Sequence, residues 1–344
     1  MKLIQKKKTL KKIVVFGHKG LIGSAIIRNL KKRNYSKIAT LEKKKVNLLD
    51  ESKVNLFFKK YKPKIVFIAA ARVGGINANS KYPFNFLYEN LIIQNNLIKN
   101  SIKYKCERVI FLGSSCIYPK IWKRPFKETD LNLSNLEKTN EFYSIAKISG
   151  LKLCESFNKQ FKYKNTKFIT VIPPNLFGKN DNYSEKNSHV LASLIRKFYL
   201  ANKYNRKIVN IWGTGLPKRE FLYSDDAADM IIDLMEINFS RINKYTKGNF
   251  FHINIGTGKD YKIREIAQII KKISNFKGKI IYNKNYPDGV KRKVMNINLL
   301  KKISPKSIND KIISKQNLIQ KIKMVYEDVN EGQFKKNSSY SLPI

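Results

Sequence analysis

Cysteine is scarce in this 344-residue chain, which has only Cys106, Cys116 and Cys154 and no Cys-x-x-Cys pair. Such a sparse, odd set argues against a disulfide framework and against a zinc site, so no metal is expected. Long apolar runs are also missing, because the longest extends from Ile65 to Ala71, far too short to span a bilayer. The run Ile13–Phe16 is too short for the core of a signal peptide. These shortages predict a cytoplasmic protein that does not bind membranes.

Negative charge is the other shortage. The chain has 69 Lys and Arg against 25 Asp and Glu, a formal net charge of +44. Such a balance is typical of proteins that bind nucleic acid or anionic membranes. The lysines are scattered along the whole chain, however, and no stretch combines basic with aromatic residues into a binding module. We therefore expect no specific nucleic-acid partner, and only weak nonspecific binding to polyanions at low salt.

Short apolar runs alternate with amphipathic stretches, a pattern that predicts an α/β protein with a doubly wound parallel sheet. The length and the apolar content of 42% allow one large domain or two modest ones. The pattern predicts strands at 13–16, 37–41, 64–69, 108–113 and 167–172, and helices at 21–33, 51–61, 85–104 and 140–161. The less regular second half predicts strands at 208–212, 250–255 and 279–283, and helices at 224–238, 262–274 and 317–330.

A glycine turn follows the first predicted strand. Gly17, Gly20 and Gly23 let the backbone approach a pyrophosphate, which then lies at the N-terminus of the next helix. The GxxGxxG spacing alone is a weak signal, because many glycine turns before helices only turn the chain. The strand before it and the helix after it favour a dinucleotide site.

The end of the second predicted strand bears on the choice between NAD and NADP. Glu42 would bind a ribose hydroxyl, whereas the adjoining Lys43-Lys44-Lys45 would bind a 2′-phosphate. Lys19, within the glycine turn, adds a second cation, so the sequence favours NADP. The alternative is that these lysines are a solvated face of a lysine-rich protein.

Tyr143 and Lys147 are four residues apart and share one face of a predicted helix. A phenol with its ordinary pKa of about 10 is a poor acid–base group near neutrality, but a nearby ammonium favours the phenolate. Ser114, at the end of the strand 108–113, can donate a hydrogen bond to a substrate oxygen. A core Tyr beside a surface Lys is the simpler alternative. Together with the glycine turn, the three residues predict a dinucleotide-dependent redox enzyme in which Tyr143 exchanges a proton with a carbonyl or alcohol.

At these positions the chain resembles the GDP-L-fucose synthases, which are extended short-chain dehydrogenases/reductases. The resemblance runs from about residue 12 to the 320s and is carried by stretches around the glycine turn, Ala69–Ile76, Leu112–Lys120, Tyr143–Lys147, Lys152–Ser156, Asn187–Val190, Arg219–Phe221 and Pro287–Gly289. The stretches Gly113–Lys120 and Asn187–Val190 are far more specific than the general dinucleotide signals.

The resemblance implies a Rossmann fold with a smaller C-terminal substrate-binding domain, and a two-part reaction on GDP-4-keto-6-deoxy-D-mannose. C3 and C5 are inverted, with Cys116 as base and His189 as acid, and the C4 ketone is then reduced with NADPH. Tyr143 is the proton donor of the reduction, Lys147 lowers its pKa and Ser114 polarises the ketone. Thiols serve as bases where neighbouring positive charge favours the thiolate.

The binding residues predicted with it fall into two sets. Those for NADP are Gly17, His18, Lys19, Gly20, Leu21, Ile22, Gly23, Lys43, Asp50, Leu112, Gly113, Ser114, Ser115, Tyr143, Lys147, Pro173, Asn175, Leu176 and His189. Those for the GDP-sugar are Val190, Lys197, Trp212, Arg219 and Asp288. Lys197 stands where Arg is common, which keeps the charge but loses the bidentate geometry. Trp212 could instead be plain core.

The predicted domains are not contiguous. Residues 12–174 plus about 221–282 are assigned to the Rossmann domain, about 175–220 plus 283–330 to the substrate domain, and 1–11 and 332–344 to flexible ends. The helices at 85–104 and 140–161 are predicted to form a homodimeric bundle, as is usual in this family.

Three rival functions stay open. The nearest is a sister enzyme of the colitose type that acts on another GDP-4-keto-deoxy sugar. A 4-epimerase or dehydratase of the same superfamily would not need the pair Cys116 and His189. A non-catalytic polyanion-binding protein would not need the pair Tyr143 and Lys147.

Overall fold

The computed structural model describes residues 10–41, 46–120, 123–131, 135–162, 164–185, 188–286, 288–329, 332 and 334. The strands are β1 Ile13–Phe16, β2 Ile38–Thr40, β3 Ile65–Ile68, β4 Arg108–Leu112, β5 Lys167–Ile172, β6 Asn175–Phe177, β7 Ile208–Trp212, β8 Lys218–Arg219, β9 Phe221–Tyr223, β10 His252–Asn254, β11 Tyr261–Lys262, β12 Lys279–Asn283 and β13 Arg292–Lys293. The α-helices are α1 Leu21–Lys32, α2 Glu51–Tyr61, α3 Ile76–Lys81, α4 Pro83–Lys103, α5 Glu141–Gln160, α6 Val190–Lys203, α7 Ser224–Glu236, α8 Phe239–Thr246, α9 Ile263–Ile273, α10 Asn298–Ile303, α11 Asp310–Ile313 and α12 Lys315–Asp328. Lys43 and most of the predicted flexible ends lie outside the described residues.

Six strands form a parallel sheet in the order β10-β5-β4-β3-β1-β2. β1 lies between β2 and β3, so the chain reverses its direction of winding there, and ligands of such sheets bind at this switch point. Three neighbouring strands end at nearly the same level, because Phe16, the last residue of β1, is in register with Ile68, the last of β3, and Ile68 with Phe111, one residue before the end of β4. The glycine turn, the segment after Ala69 and the Ser114 loop therefore leave the same edge of the sheet. The doubly wound Rossmann sheet predicted from the sequence is confirmed.

Both faces of the sheet are covered by helices. On one face Val15 shares a core with Ile231 of α7 and with side chains of α1. On the other face Val14 shares a core with Phe58 of α2 and Phe157 of α5. Burial on both faces explains why the strands are continuous apolar runs rather than alternating ones.

A second core lies outside the six-stranded sheet. β7 pairs in parallel with β12, and α6, α9 and α12 pack around them through Ile195, Ile266 and Ile322. Residues 263–282, which the sequence assigns to the Rossmann domain, thus pack with the second core. Leu300 and Ile303 of α10 return to the first core instead. The division into two domains stays a prediction, and the packing of these two segments differs from the predicted boundaries.

No helix in the described parts of the chain is both long and apolar enough to cross a membrane.

Candidate active site

The glycine turn brings three segments of backbone into close approach. Gly17 has a φ of +85°, and a Cβ there would come within 2.7 Å of the backbone of Ala69. The amide of Gly20 donates a hydrogen bond to the carbonyl of Gly17 at 3.0 Å. α1 begins directly afterwards with no side-chain cap and no acidic residue in its first turn. The partial positive charge of its N-terminus therefore suits a pyrophosphate, and the turn fits the NADP that the sequence predicts.

Three other predicted cofactor residues, Ser115, Asn175 and Asp50, make hydrogen bonds within the protein. Ser115 donates its amide hydrogen to the carbonyl of Pro173 at 3.2 Å, which joins the loops after β4 and β5. Asn175 donates a side-chain hydrogen bond to the carbonyl of Glu220 at 3.0 Å. Asp50 caps α2 by accepting a hydrogen bond from the amide of Lys53 at 3.0 Å, and this bond lowers its pKa. The cofactor roles of these residues stay predictions, and Asp50 has a structural role besides.

Lys147 and Tyr143 lie side by side on α5, as their spacing predicts. The ammonium of Lys147 is buried, donates to the carbonyl of Leu112 at 2.8 Å and lies 5.8 Å from the centre of the Tyr143 ring. Burial lowers the pKa of Lys147 to about 8, and the nearby Cys116 opposes this shift. Phe86 packs edge-on against Tyr143, with ring centres 6.2 Å apart.

Tyr143 is held in its neutral form. Burial raises its pKa, a negative charge on Cys116 raises it further, and a hydrogen bond with Ser114 opposes both effects. A neutral phenol has a proton to give. The serine hydroxyl also accepts a hydrogen bond from the amide of Cys116 at 3.3 Å, so Ser114 contacts both residues.

Cys116 is buried in a short 3₁₀ turn, residues 115–117, that follows β4. It packs in a small core with Ile117 and Met295, and Met295 belongs to the segment that leaves β13. Lys293 on β13 lies two residues before Met295, and burial lowers its pKa, while the nearby Cys116 opposes this shift. The structure thus gathers Ser114, Cys116, Tyr143 and Lys147, and adds Lys293.

His189 stands apart from this cluster in its contacts. It is the residue before α6 and is exposed to solvent, although the surrounding protein desolvates its ring enough to lower its pKa. Among the described residues, no hydrogen bond or ion pair joins His189 to Cys116. Their pairing as acid and base stays a prediction.

The residues predicted for the GDP-sugar lie on the second core and its turns. Lys197 donates to the carbonyl of Asn210 at 2.8 Å, and its ammonium is 5.3 Å from the centre of the Trp212 ring. Trp212 is 53% exposed, which removes the alternative that it is plain core. Val190 is half-buried at the start of α6.

Arg219 and Asp288 lie close to one another. Arg219 donates to the carbonyls of Lys218 and Val290, and burial lowers its pKa to about 10, with Asp288 opposing the shift. The carboxylate of Asp288 accepts from the amide and the hydroxyl of Thr214 at 2.9 and 2.6 Å. Asp288 therefore fixes the turn that follows Trp212.

Comparison with known proteins agrees with this arrangement. A model of the NAD dependent epimerase/dehydratase family matches residues 13–256. The chain belongs to this family. Within it, the GDP-L-fucose synthase of Escherichia coli (strain K12) is 42% identical over 289 residues, which cover 84% of this chain and 89% of that protein. The GDP-L-colitose synthase of Yersinia pseudotuberculosis is 38% identical over 292 residues, 84% of this chain and 90% of that protein.

A solved structure is similar over nearly its whole length. The GDP-mannoheptose C4 reductase from Campylobacter jejuni with NADP bound has a TM-score of 0.79 at 36% identity, and the alignment covers 93% of this chain and 98% of that one.

Sequence reasoning within the family missed Lys293 and Glu220. Lys293 is one of many scattered lysines, and its only signal is that it closely follows the Pro287–Gly289 stretch. Glu220 is fully buried, and burial raises its pKa to about 7. Its carboxylate accepts from the amides of Thr257, Gly258 and Met295. It therefore ties the turn after β10 to the segment that carries Lys293.

Proposed function

We propose that this chain is an NADP-dependent enzyme that converts GDP-4-keto-6-deoxy-D-mannose to GDP-L-fucose by 3,5-epimerisation and 4-reduction. One observation carries the proposal. A buried thiol, Cys116, shares its cluster with the Ser114, Tyr143 and Lys147 of a reductase. A reductase alone needs no thiol there, whereas epimerisation beside the ketone needs a base. The identity to GDP-L-fucose synthases supports the same substrate.

Epimerisation uses the acidity of the hydrogens beside the C4 ketone. Cys116 takes the proton from C3 or C5, and His189 returns one to the opposite face. Lys293 stabilises negative charge on the thiolate, since it lies near Cys116 and two residues before Met295 of the same small core. The negative charge of the substrate diphosphate favours the protonated imidazole that His189 needs, against the desolvation that lowers its pKa.

Reduction uses the other side of the same cluster. Bound NADPH supplies the hydride that C4 receives. Tyr143 gives its phenolic proton to the C4 oxygen, and Ser114 orients that oxygen through its hydroxyl. Lys147 stabilises the phenolate left behind, and its bond to the carbonyl of Leu112 keeps the ammonium in place.

The reaction itself tests this proposal. Purified protein is mixed with GDP-4-keto-6-deoxy-D-mannose and NADPH, the absorbance of NADPH is followed, and the sugar product is identified by NMR. We expect loss of NADPH and a 6-deoxy sugar of the L-galacto configuration. In ²H₂O without NADPH, deuterium should enter C3 and C5 of the substrate with Tyr143→Phe but not with Cys116→Ser. Reduction without inversion would contradict the roles of Cys116 and His189.

A second candidate is the same chemistry on a different GDP-4-keto sugar. It is favoured by the 38% identity to a GDP-L-colitose synthase and by the likeness to a GDP-mannoheptose C4 reductase. Parallel assays with 3-deoxy and heptose forms of the keto sugar separate the candidates, because the true substrate has the highest kcat/KM.

We also propose that the enzyme is a homodimer that pairs through α4 and α5. Both helices carry large apolar side chains on their solvent side, among them Phe84, which is 68% exposed, Phe142, Ile145 and Leu153. Such a patch is typical of an interface. A cytoplasmic location likewise remains a proposal.

A charged side chain introduced at the centre of the proposed interface tests the dimer. Ile145→Asp should shift the mass measured by sedimentation from dimer to monomer. The control Leu56→Asp changes an exposed leucine on α2 and should leave the dimer intact. A monomeric unaltered protein would contradict the proposal.

A further inference from the structure

Two large aromatic rings lie stacked and partly exposed on the second core, beside residues predicted to bind the GDP-sugar. The rings of Trp212 and Tyr286 are 4.4 Å apart and 6° from parallel. Trp212 is 53% exposed and Tyr286 is 41% exposed. The exposed faces of these rings are apolar surface in contact with water, and a nucleobase that stacks on them would bury that surface.

The stack is not needed to hold its two segments together. β7 and β12 already pair along five residues, from Ile208 with Lys279 to Trp212 with Asn283. The amide of Gly213 donates to the carbonyl of Asn283 at 2.8 Å, and Asp288 binds Thr214 just beyond. A purely structural role for the ring of Tyr286 would therefore add little to these bonds.

Positive charge adjoins the rings on the side where a diphosphate would follow a base. The ammonium of Lys197 lies 5.3 Å from the Trp212 ring. Arg219 donates to the carbonyl of Val290, in the segment that follows Tyr286 and Asp288. An aromatic surface beside a lysine and an arginine matches the chemistry of a nucleoside diphosphate.

We propose that Tyr286 and Trp212 form an aromatic platform on which the base of the nucleoside diphosphate stacks, so that Tyr286 is a binding residue of the nucleotide site. This inference rests on the proposed function, because it assigns a binding position to the nucleobase of the proposed GDP-sugar substrate. Lys197 and Arg219 then bind the diphosphate, whereas the two aromatic rings contact only the base.

Tryptophan fluorescence tests the platform directly. The chain has two tryptophans, so a Trp122→Phe background leaves Trp212 as the reporter. GDP should quench it, and Tyr286→Ala should raise the Kd for GDP about tenfold, because stacking on one aromatic ring is worth about that factor. Inorganic pyrophosphate, which has no base, should compete with unchanged affinity. Tyr286→Phe should bind GDP like the unaltered protein.

The control is Tyr245→Ala, which removes an exposed tyrosine from α8 and should change neither Kd. An unchanged Kd for GDP in Tyr286→Ala would overturn the proposal, as would equal losses for GDP and pyrophosphate or a tighter GDP complex. Tyr286→Leu keeps apolar area without a ring and should behave like the alanine variant. If GDP binding depends on Tyr286 but the keto sugar is not converted, the platform is supported and the proposed reaction is wrong. If the sugar is converted and Kd is unchanged, only the platform fails.

Discussion

The proposed reacting end and the proposed nucleotide end of the site are built in different ways. At the reacting end Cys116 and Lys147 are buried, and both stand on elements that pack against the six-stranded sheet. At the nucleotide end Trp212 and Tyr286 are exposed, on the last residue of a strand and the turn after another. Proton transfer needs fixed distances and little water, which a buried cluster supplies. Recognition of a large nucleotide needs accessible surface, which turns supply.

The comparison is most sharply tested at Tyr143. Tyr143→Phe removes the proton donor and keeps the ring, so the rate of NADPH oxidation should fall by about 10²–10⁴-fold. The KM for the GDP-sugar should change little, because the nucleotide end is untouched. Tyr245→Phe, at an exposed tyrosine of α8, is the control. An unchanged rate in Tyr143→Phe would place the proton donor elsewhere.

Lys293 tests whether the charge beside Cys116 matters to epimerisation alone. Lys293→Met removes a cation near developing negative charge, and deuterium exchange at C3 and C5 should slow by about a hundredfold. The matched control is Lys291→Met, an exposed lysine two residues earlier. Equal exchange rates in the two variants would show that Lys293 has no part in the step.

The pH dependence of reduction follows from Lys147. Its pKa is lowered to about 8 by burial, and the charged form, which the reaction needs, is present below that value and lost above it. The kcat/KM for reduction should therefore fall about tenfold per pH unit above about 8. Lys147→Arg should move this limb to higher pH, because a guanidinium stays charged. A limb that does not move belongs to another group.

The smallest effect is expected at Glu220, which ties the turn after β10 to the segment of Lys293. In Glu220→Gln an NH₂ group would face the amide of Met295, which now donates to the carboxylate at 2.7 Å. Losing a buried hydrogen bond should lower the free energy of unfolding by about 1–3 kcal/mol, measured by urea denaturation. Glu327→Gln, on an exposed carboxylate of α12, should be neutral. Equal stability of both variants would mean that the buried carboxylate is dispensable.

The sequence was most informative where a function depends on neighbours along the chain. The turn Gly17–Gly23 has local requirements, a strand before it and a helix after it, so its pattern is readable. Tyr143 and Lys147 share a helix face for the same reason. Residues brought together from distant segments left no such pattern. Residues 263–283 have strand and helix periodicity that fits either core, and the pairing of β12 with β7 decides between them.

The sequence by itself therefore determined the α/β class, and it predicted the glycine turn and the grouping of Ser114, Tyr143 and Lys147, because spacing along a strand or helix fixes which side chains are adjacent. Only the tertiary structure decided that Lys293 lies near Cys116, that Glu220 ties the turn after β10 to the segment of Lys293 and that Tyr286 stacks on Trp212. These contacts join residues that are far apart in the sequence. In a chain with 69 Lys and Arg, nothing in the sequence distinguishes one functional lysine from the others. Their partners are set by which loops leave the same edge of the fold, and that is a property of the packed chain.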